Sequence, residues 1–264
     1  MNFTKMQGLG NDYVYIYTEK EIENPNQLSV KLSDRHFGIG SDGLIVISPS
    51  SVADFKMRIF NADGSEAKMC GNGIRCVGKY VFDNHLTDKT ELSVETLSGI
   101  KYLHLFTKGG TVKLVSVDMG KAVVGCRQSV IIEGQTVEYY PVDMGNPHAV
   151  VFCKYAEAVP VEKIGSLFQR LDVFKDGVNV EFVSKISENR LRLRVFERGS
   201  GVTLACGTGA CAGVSAAIKH KLCLSNTETE VKLDGGSLYI TVDGEFSVSM
   251  KGPAEAVFDG RITL

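Results

Sequence analysis

The sequence predicts a mixed α/β chain, of the α+β kind, made of two similar halves. Three observations carry that prediction: strand-like alternation through most of the chain, a few stretches of helical spacing, and one block that recurs. KMRIF at 56–60 and RLRLRVF at 190–196 alternate with period two, as strands with one buried face do. LYITV and FSVSM flank Asp243-Gly244, which suits a tight hairpin turn, and the glycines of TKGGTV mark another. In VEKIGSLFQRL, by contrast, Ile164, Leu167, Phe168 and Leu171 return at helical spacing, and QLSVKLSDRH reads in the same way.

The repeat emerges when the chain is laid on itself with residue 206 over residue 70 and no gaps. MRIFNADGSEAKMCGNG then overlies LRVFERGSGVTLACGTG, pairing Arg58 with Arg194, Phe60 with Phe196, Cys70 with Cys206, Gly71 with Gly207 and Gly73 with Gly209. Each copy reads strand, polar loop, Cys-Gly-x-Gly, helix; IRCVGKYVFDN continues the first and ACAGVSAAIKH the second. The order of structural signals agrees along with the letters, which points to duplication. A boundary near 116–120, around SVDMGK, divides the chain almost evenly.

At 264 residues, 44% hydrophobic, 23% charged and with a formal net charge of -2, the chain has the profile of a soluble globular protein. That balance gives no electrostatic bias toward nucleic acid or anionic lipid, so neither partner is expected. MNFTKMQGLGNDY lacks the apolar core of a signal peptide and LIVI at 44–47 is too short to span a bilayer, which makes the cytoplasm the expected compartment. Seven cysteines, an odd number, argue against a secreted disulfide framework. Cys126, Cys153 and Cys223 read as small buried hydrophobes, and Cys76 and Cys211, in the first turns of apolar helices, as helix core. Cys70 and Cys206 differ, because packing alone gains nothing from Gly-x-Gly beside them.

Helix starts have a chemical meaning. First-turn N–H groups point outward, the macrodipole adds partial positive charge, and glycine lets an anion such as a carboxylate approach closely. The same field favours thiolate: cysteine ionises near pH 8.5 when free, and helix N-termini lower that to about 3.5–7.5. A P-loop would need Lys and Ser/Thr after its glycines, and neither GNGIRC nor GTGACAG supplies them. Zinc is disfavoured because no CxxC pair and no adjacent His complete a site. Two matched thiols, one as thiolate and one as thiol, instead suit inversion of a carbon centre, with a base on one face and an acid on the other. They would titrate as a coupled pair.

These residues resemble the diaminopimelate epimerase family, cofactor-independent amino-acid epimerases, over nearly the whole chain. The likeness rests on GLGNDY at 8–13, RHFGIGSDG at 35–43, NADGSEAKMCGNGIRC at 61–76, MGNPHAV at 144–150, GVNVEF at 177–182, ERGSGVTLACGTGAC at 197–211 and GPAEAVFDG at 252–260. It implies two pseudo-symmetric domains, each a curved, mainly antiparallel sheet around a central helix: 1–117 with a returning strand at 254–264, and 118–253. It further implies interconversion of LL- and meso-diaminopimelate for lysine and peptidoglycan synthesis, with no PLP and no metal, in a homodimer.

By the same resemblance Cys70 and Cys206 are the catalytic pair, and the amides of Gly71, Asn72, Gly207 and Thr208 hold the carboxylate of the reacting centre. Asn11 and Glu197 match positions near the reacting amino group. Asn61, Asn146, Asn179 and Arg198 match those recognising the distal end, where Arg198 can grip a carboxylate bidentately. Locally, asparagines in MGNP and DGVN read as turn residues, His148 as a hydrogen-bonded scaffold residue, and Asp63-Gly64 as a loop former. Gly43 stands where some members carry Gln and Val202 where many carry an acid, so side-chain contacts are not carried over to those two places. Proline and hydroxyproline racemases of two-cysteine type are the enzymatic alternative, but their first motif has His where this chain has Asn72. A zinc-binding or redox thiol module is the alternative from another class.

Overall fold

The computed structural model describes residues 1–263. The chain divides into two compact units, Met1–Asp118 with Lys251–Leu264, and Met119–Met250. In the first, β1 (Asn2–Gly8) and β2 (Asn11–Tyr17) form an antiparallel hairpin, and helix α1 (Pro25–Ser33) leads to β3 (Gly43–Ser48), which runs parallel to β2. β4 (Phe55–Asn61) returns antiparallel, with the short β5 (Glu66–Ala67) on its end. Helix α2 (Gly71–Asp83) follows, then β6 (Glu91–Thr96) parallel to β4, and the hairpin β7 (Gly99–Lys108) and β8 (Thr111–Lys121).

The second unit repeats this ladder. After the short β9 (Val123–Val124) and β10 (Gln128–Ile132), β11 (Gln135–Asp143) pairs antiparallel with β12 (Pro147–Phe152). Helix α3 (Val161–Phe168) leads to β13 (Asn179–Ser187), parallel to β12; β14 (Arg190–Glu197) is antiparallel to it and carries the short β15 (Gly201–Thr203). Helix α4 (Gly207–Lys219) precedes β16 (Thr229–Leu233), parallel to β14, then β17 (Gly236–Val242) and β18 (Ser247–Pro253). The last strand, β19 (Glu255–Arg261), pairs with β1 in the first unit.

Each unit's sheet is wrapped on one helix. α2 packs on β1, β2, β7 and β19, and α4 on β11, β12, β13, β14, β16 and β17. Both helices bury nearly their whole N-terminal halves, so side chains at their starts are fixed by packing on several sides. Gly165 in α3 has its own packing reason: a Cβ there would fall 2.3 Å from the Phe196 ring. The fold is thus the mixed, sheet-dominated α+β architecture that the alternation and the repeat predict.

Some boundaries differ from the sequence reading. The helix in QLSVKLSDRH starts at Pro25, whose fixed φ suits a first helical turn, and stops at Ser33. It stops because the Asp34 carboxylate accepts the amides of His36 and Phe37, both at 2.7 Å, which bends the chain away. At Asp243-Gly244 there is no two-residue turn. The Asp243 carboxylate accepts the amides of Glu245 and Ser247, and the left-handed residue is Phe246, at φ 61°. Cys126 is exposed rather than buried, because it sits in the polar link between β9 and β10.

Candidate active site

In the first unit Cys70 is the N-cap of α2. Its backbone is extended, its carbonyl accepts from the Ile74 amide, and its sulfur accepts from the Gly73 N–H at 3.3 Å, the place usually taken by Ser, Asp or Asn oxygen. Gly73 allows the close fit, since a Cβ there would lie 2.7 Å from Ile45 Cδ1. The thiol also reaches Asn11 Oδ1 at 3.4 Å. Asn11 in turn donates from Nδ2 to Asp42 at 2.8 Å, and Asp42 is held by the Asp12 amide and by Arg35. The RHFGIGSDG loop therefore fixes the amide that faces the thiol.

Asn61, at the end of β4, donates to Ser65 Oγ at 3.0 Å, and its carbonyl accepts from Ser29 of α1. The amides of Gly71 and Asn72 lie in the first turn of α2, both residues buried. Gly43 is enforced by the backbone, because a Cβ would fall 2.1 Å from the Phe60 carbonyl oxygen.

The second unit repeats the cap with different surroundings. Cys206 Sγ accepts from the Gly209 N–H at 3.3 Å, and Thr208 Oγ1 lies 3.5 Å from it. Glu197 contacts the Thr203 hydroxyl and also hydrogen-bonds Cys206. Burial raises the Glu197 carboxyl above the usual range, against the bonds from Thr203 and Cys206. Cys206 is pushed well up by its burial first, then by the charges of Glu197 and Glu181, which outweigh the Thr208 and Gly209 donors. The lowering expected from a helix N-terminus is thus overridden at this thiol, because desolvation disfavours the anion more than one helix end favours it.

Asn146 donates from Nδ2 to Thr208 Oγ1 at 3.4 Å, while its Oδ1 faces His148 Nε2 at 3.1 Å. His148 is a scaffold residue as read, fully buried, with Nδ1 2.7 Å from the equally buried Glu181. Asn179 is committed to backbone: its Nδ2 donates to the Pro147 carbonyl and its Oδ1 accepts the Arg198 amide. The Arg198 side chain is exposed, lies over Gly177, and donates to the Asp176 carbonyl. Among the described residues no group of three or more His, Cys, Asp or Glu side chains is arranged to hold a metal ion.

The model of the diaminopimelate epimerase family matches residues 3–125 and 140–257. A diaminopimelate epimerase from Methanococcus maripaludis is 49% identical over 279 residues, covering all of both chains, and one from Acetivibrio thermocellus is 49% identical over all of this chain and 99% of its own. The chain belongs to the diaminopimelate epimerase family. Every candidate side chain falls within the residues matched by the family model. As a diaminopimelate epimerase by family, the chain is an isomerase.

Solved structures agree on the fold. A PhzF-family phenazine biosynthesis protein of Bacillus anthracis superposes with a TM-score of 0.79 at 16% identity, over all of this chain and 99% of that one. A hydroxyproline epimerase of Agrobacterium vitis does so with a TM-score of 0.74 at 15% identity, over 98% and 91%. The diaminopimelate epimerase motifs therefore sit on a scaffold that these two structures share.

Sequence reasoning missed Asp42, Tyr13, Thr203 and Glu181. Burial raises the Tyr13 hydroxyl, followed by the nearby charges of Cys70 and Asp42, which places this ring beside the first thiol. Asp42 lies inside the RHFGIGSDG motif. Glu181 had a clear signal, an acid inside the continuous buried run from Asn179 to Phe182.

Proposed function

We propose that this chain interconverts LL- and meso-2,6-diaminopimelate by moving one α-proton between two sulfurs. One cysteine, as thiolate, takes the proton from the α-carbon; the other, as thiol, gives its own to the opposite face, and the roles exchange in reverse. The first-turn amides of α2 and α4, at Gly71, Asn72, Gly207 and Thr208, stabilise the carboxylate as charge develops beside it. Asn11 and Glu197 attend the reacting amino group. Asn61, Asn146 and the exposed Arg198 guanidinium recognise the distal amino-acid end, with Asn179 fixing the Arg198 backbone.

The observation that carries this reading is the duplicated cap: two cysteines at matching places, each accepting an amide from the third residue of its helix. The test is incubation of LL-diaminopimelate in heavy water without added cofactor. Deuterium should enter the α-carbon with the wild type and fall by at least roughly a thousandfold in Cys70→Ala and in Cys206→Ala. Retained turnover in either variant would contradict the two-base assignment.

The reading includes a homodimer and a cytoplasmic setting. β19 supports the first, since Val257 and Phe258 are 58% and 48% exposed on a strand that pairs with β1. Among the described residues no helix is long and apolar enough to cross a membrane.

A further inference from the structure

The proposed chemistry leaves one buried acid unexplained. Glu181, in β13, is completely enclosed, with Oε1 on His148 Nδ1 and Oε2 lacking a hydrogen-bond partner among the described residues. It lies directly against the second helix start: a Cβ on Gly209 would be 2.7 Å from Oε1. Burying a carboxyl group is costly unless it is well partnered, so its position calls for a use.

The hydrogen-bond directions supply one. The Oδ1 of Asn146 carries no hydrogen, so the proton on its 3.1 Å line to His148 Nε2 belongs to the ring. The proton on the 2.7 Å line between Glu181 and Nδ1 lies between carboxyl and ring. With its Oδ1 committed to the ring, Asn146 turns its NH2 to Thr208 Oγ1, 3.4 Å away. The Thr208 hydroxyl, accepting from that NH2, has its own hydrogen to donate to Cys206 Sγ at 3.5 Å. A turned Asn146 amide would reverse every step and leave Thr208 accepting from the thiol.

We propose that Glu181 is a positioning residue that, through His148, Asn146 and Thr208, aims a hydroxyl donor at the sulfur of Cys206. The proposal rests on the reading of Cys206 as a reacting thiol. The donor stabilises Cys206 when it has given up its proton, the state in which it acts as base.

Two measurements test it. In protein labelled with 15N-histidine, long-range 1H–15N spectra should show His148 Nε2 protonated in the wild type and in Glu181→Gln. A bare Nε2 in the wild type would overturn the relay whether or not the chain epimerises diaminopimelate. In kinetics, Glu181→Leu, with native near-UV circular dichroism, should lose roughly a hundredfold in kcat with KM nearly unchanged, as for removal of one oriented donor. Glu181→Gln, able to donate its side-chain NH2 to Nδ1 while Nε2 keeps its hydrogen, should recover to within about tenfold of the wild type. Equal damage from Gln and Leu, or none from Leu, would sink the proposal. Should Glu181→Leu fail to fold, Thr208→Val tests the other end: an unchanged kcat there would also overturn it.

Discussion

The two units carry one backbone plan with opposite buried charges. Tyr13 pairs across the parallel ladder with Gly43 as His148 does with Asn179, and Ile45 faces Ile59 as Glu181 faces Val195. Beneath the first cap the helix rests on apolar Ile45; beneath the second it rests on Glu181. Arg75, fully buried in α2, stands where α4 has Cys211 in the gapless overlay of the two halves. The capping thiol and the ladder are common to both units, while the layer under each thiol differs. The two-base transfer proposed above would benefit from that divergence, since the two thiols then sit in unlike fields.

The largest effect that would break this comparison is on stability. His148→Phe fills the ring's volume but leaves the Glu181 carboxylate buried without its partner, which should cost about 3–5 kcal/mol in urea unfolding. Tyr13→Phe, at the matching place, removes one hydroxyl and should cost about 1 kcal/mol. Transplanting the first unit's pair, as His148→Tyr with Glu181→Ile, should recover most of the loss, because no uncompensated charge remains. If His148→Phe costs no more than Tyr13→Phe, the two layers are electrostatically equivalent and the contrast is lost.

A middle-sized effect concerns alkaline pH. Cys76 in the first unit is pushed up to about 11 by burial, with Tyr15 and Arg75 acting to lower it. Cys206 is pushed up by burial with Glu197 and Glu181 adding to the rise. In both cases the folded thiol keeps its proton after the unfolded one, which ionises near pH 8.5, has lost it. The stabilisation is therefore complete below about pH 8.5 and is lost as pH rises through the folded value, at up to about 1.4 kcal/mol per pH unit for each thiol. Cys76→Ala should flatten the slope of stability between pH 8.5 and 10 by about one proton, and so should Cys206→Ala. Glu197→Gln removes the largest charge that raises Cys206, so it should lower the pH at which that thiol ionises, read from thiolate absorbance.

How much of this was legible in advance follows from sequence distance. The caps were legible because a cap is local: residue, glycine, and an amide three positions on. So were the hairpin at Gly109-Gly110 and α4, each set by its own few residues. The His148–Glu181 contact joins residues 33 apart through a parallel ladder, and no local rule announces it. Even so, an acid inside the buried run NVEF was a readable anomaly. Asn11 to Asp42 spans 31 residues by the same kind of ladder, so no local rule assigns the RHFGIGSDG motif its partner. The Asp243-Gly244 turn failed for the opposite reason: the Asp side chain offers the backbone a local alternative that the dipeptide rule ignores.

The smallest effect sharpens the comparison at the hairpins that close each ladder. In the first unit, Gly109 and Gly110 both sit at positive φ, 62° and 77°, with open space where a Cβ would project. In the second, Gly244 is outside the left-handed region, also with open space, and Phe246 takes the positive φ instead. Gly110→Ala should therefore destabilise by about 1 kcal/mol, the cost of a left-handed alanine. Gly244→Ala should stabilise by about 0.4–1 kcal/mol, because it narrows the unfolded ensemble without meeting any atom. Opposite signs in thermal unfolding are expected of two glycines that sequence alone would treat alike. Matching signs would mean that the Asp243 carboxylate does not set the second turn, and that both ladders close by the same backbone device.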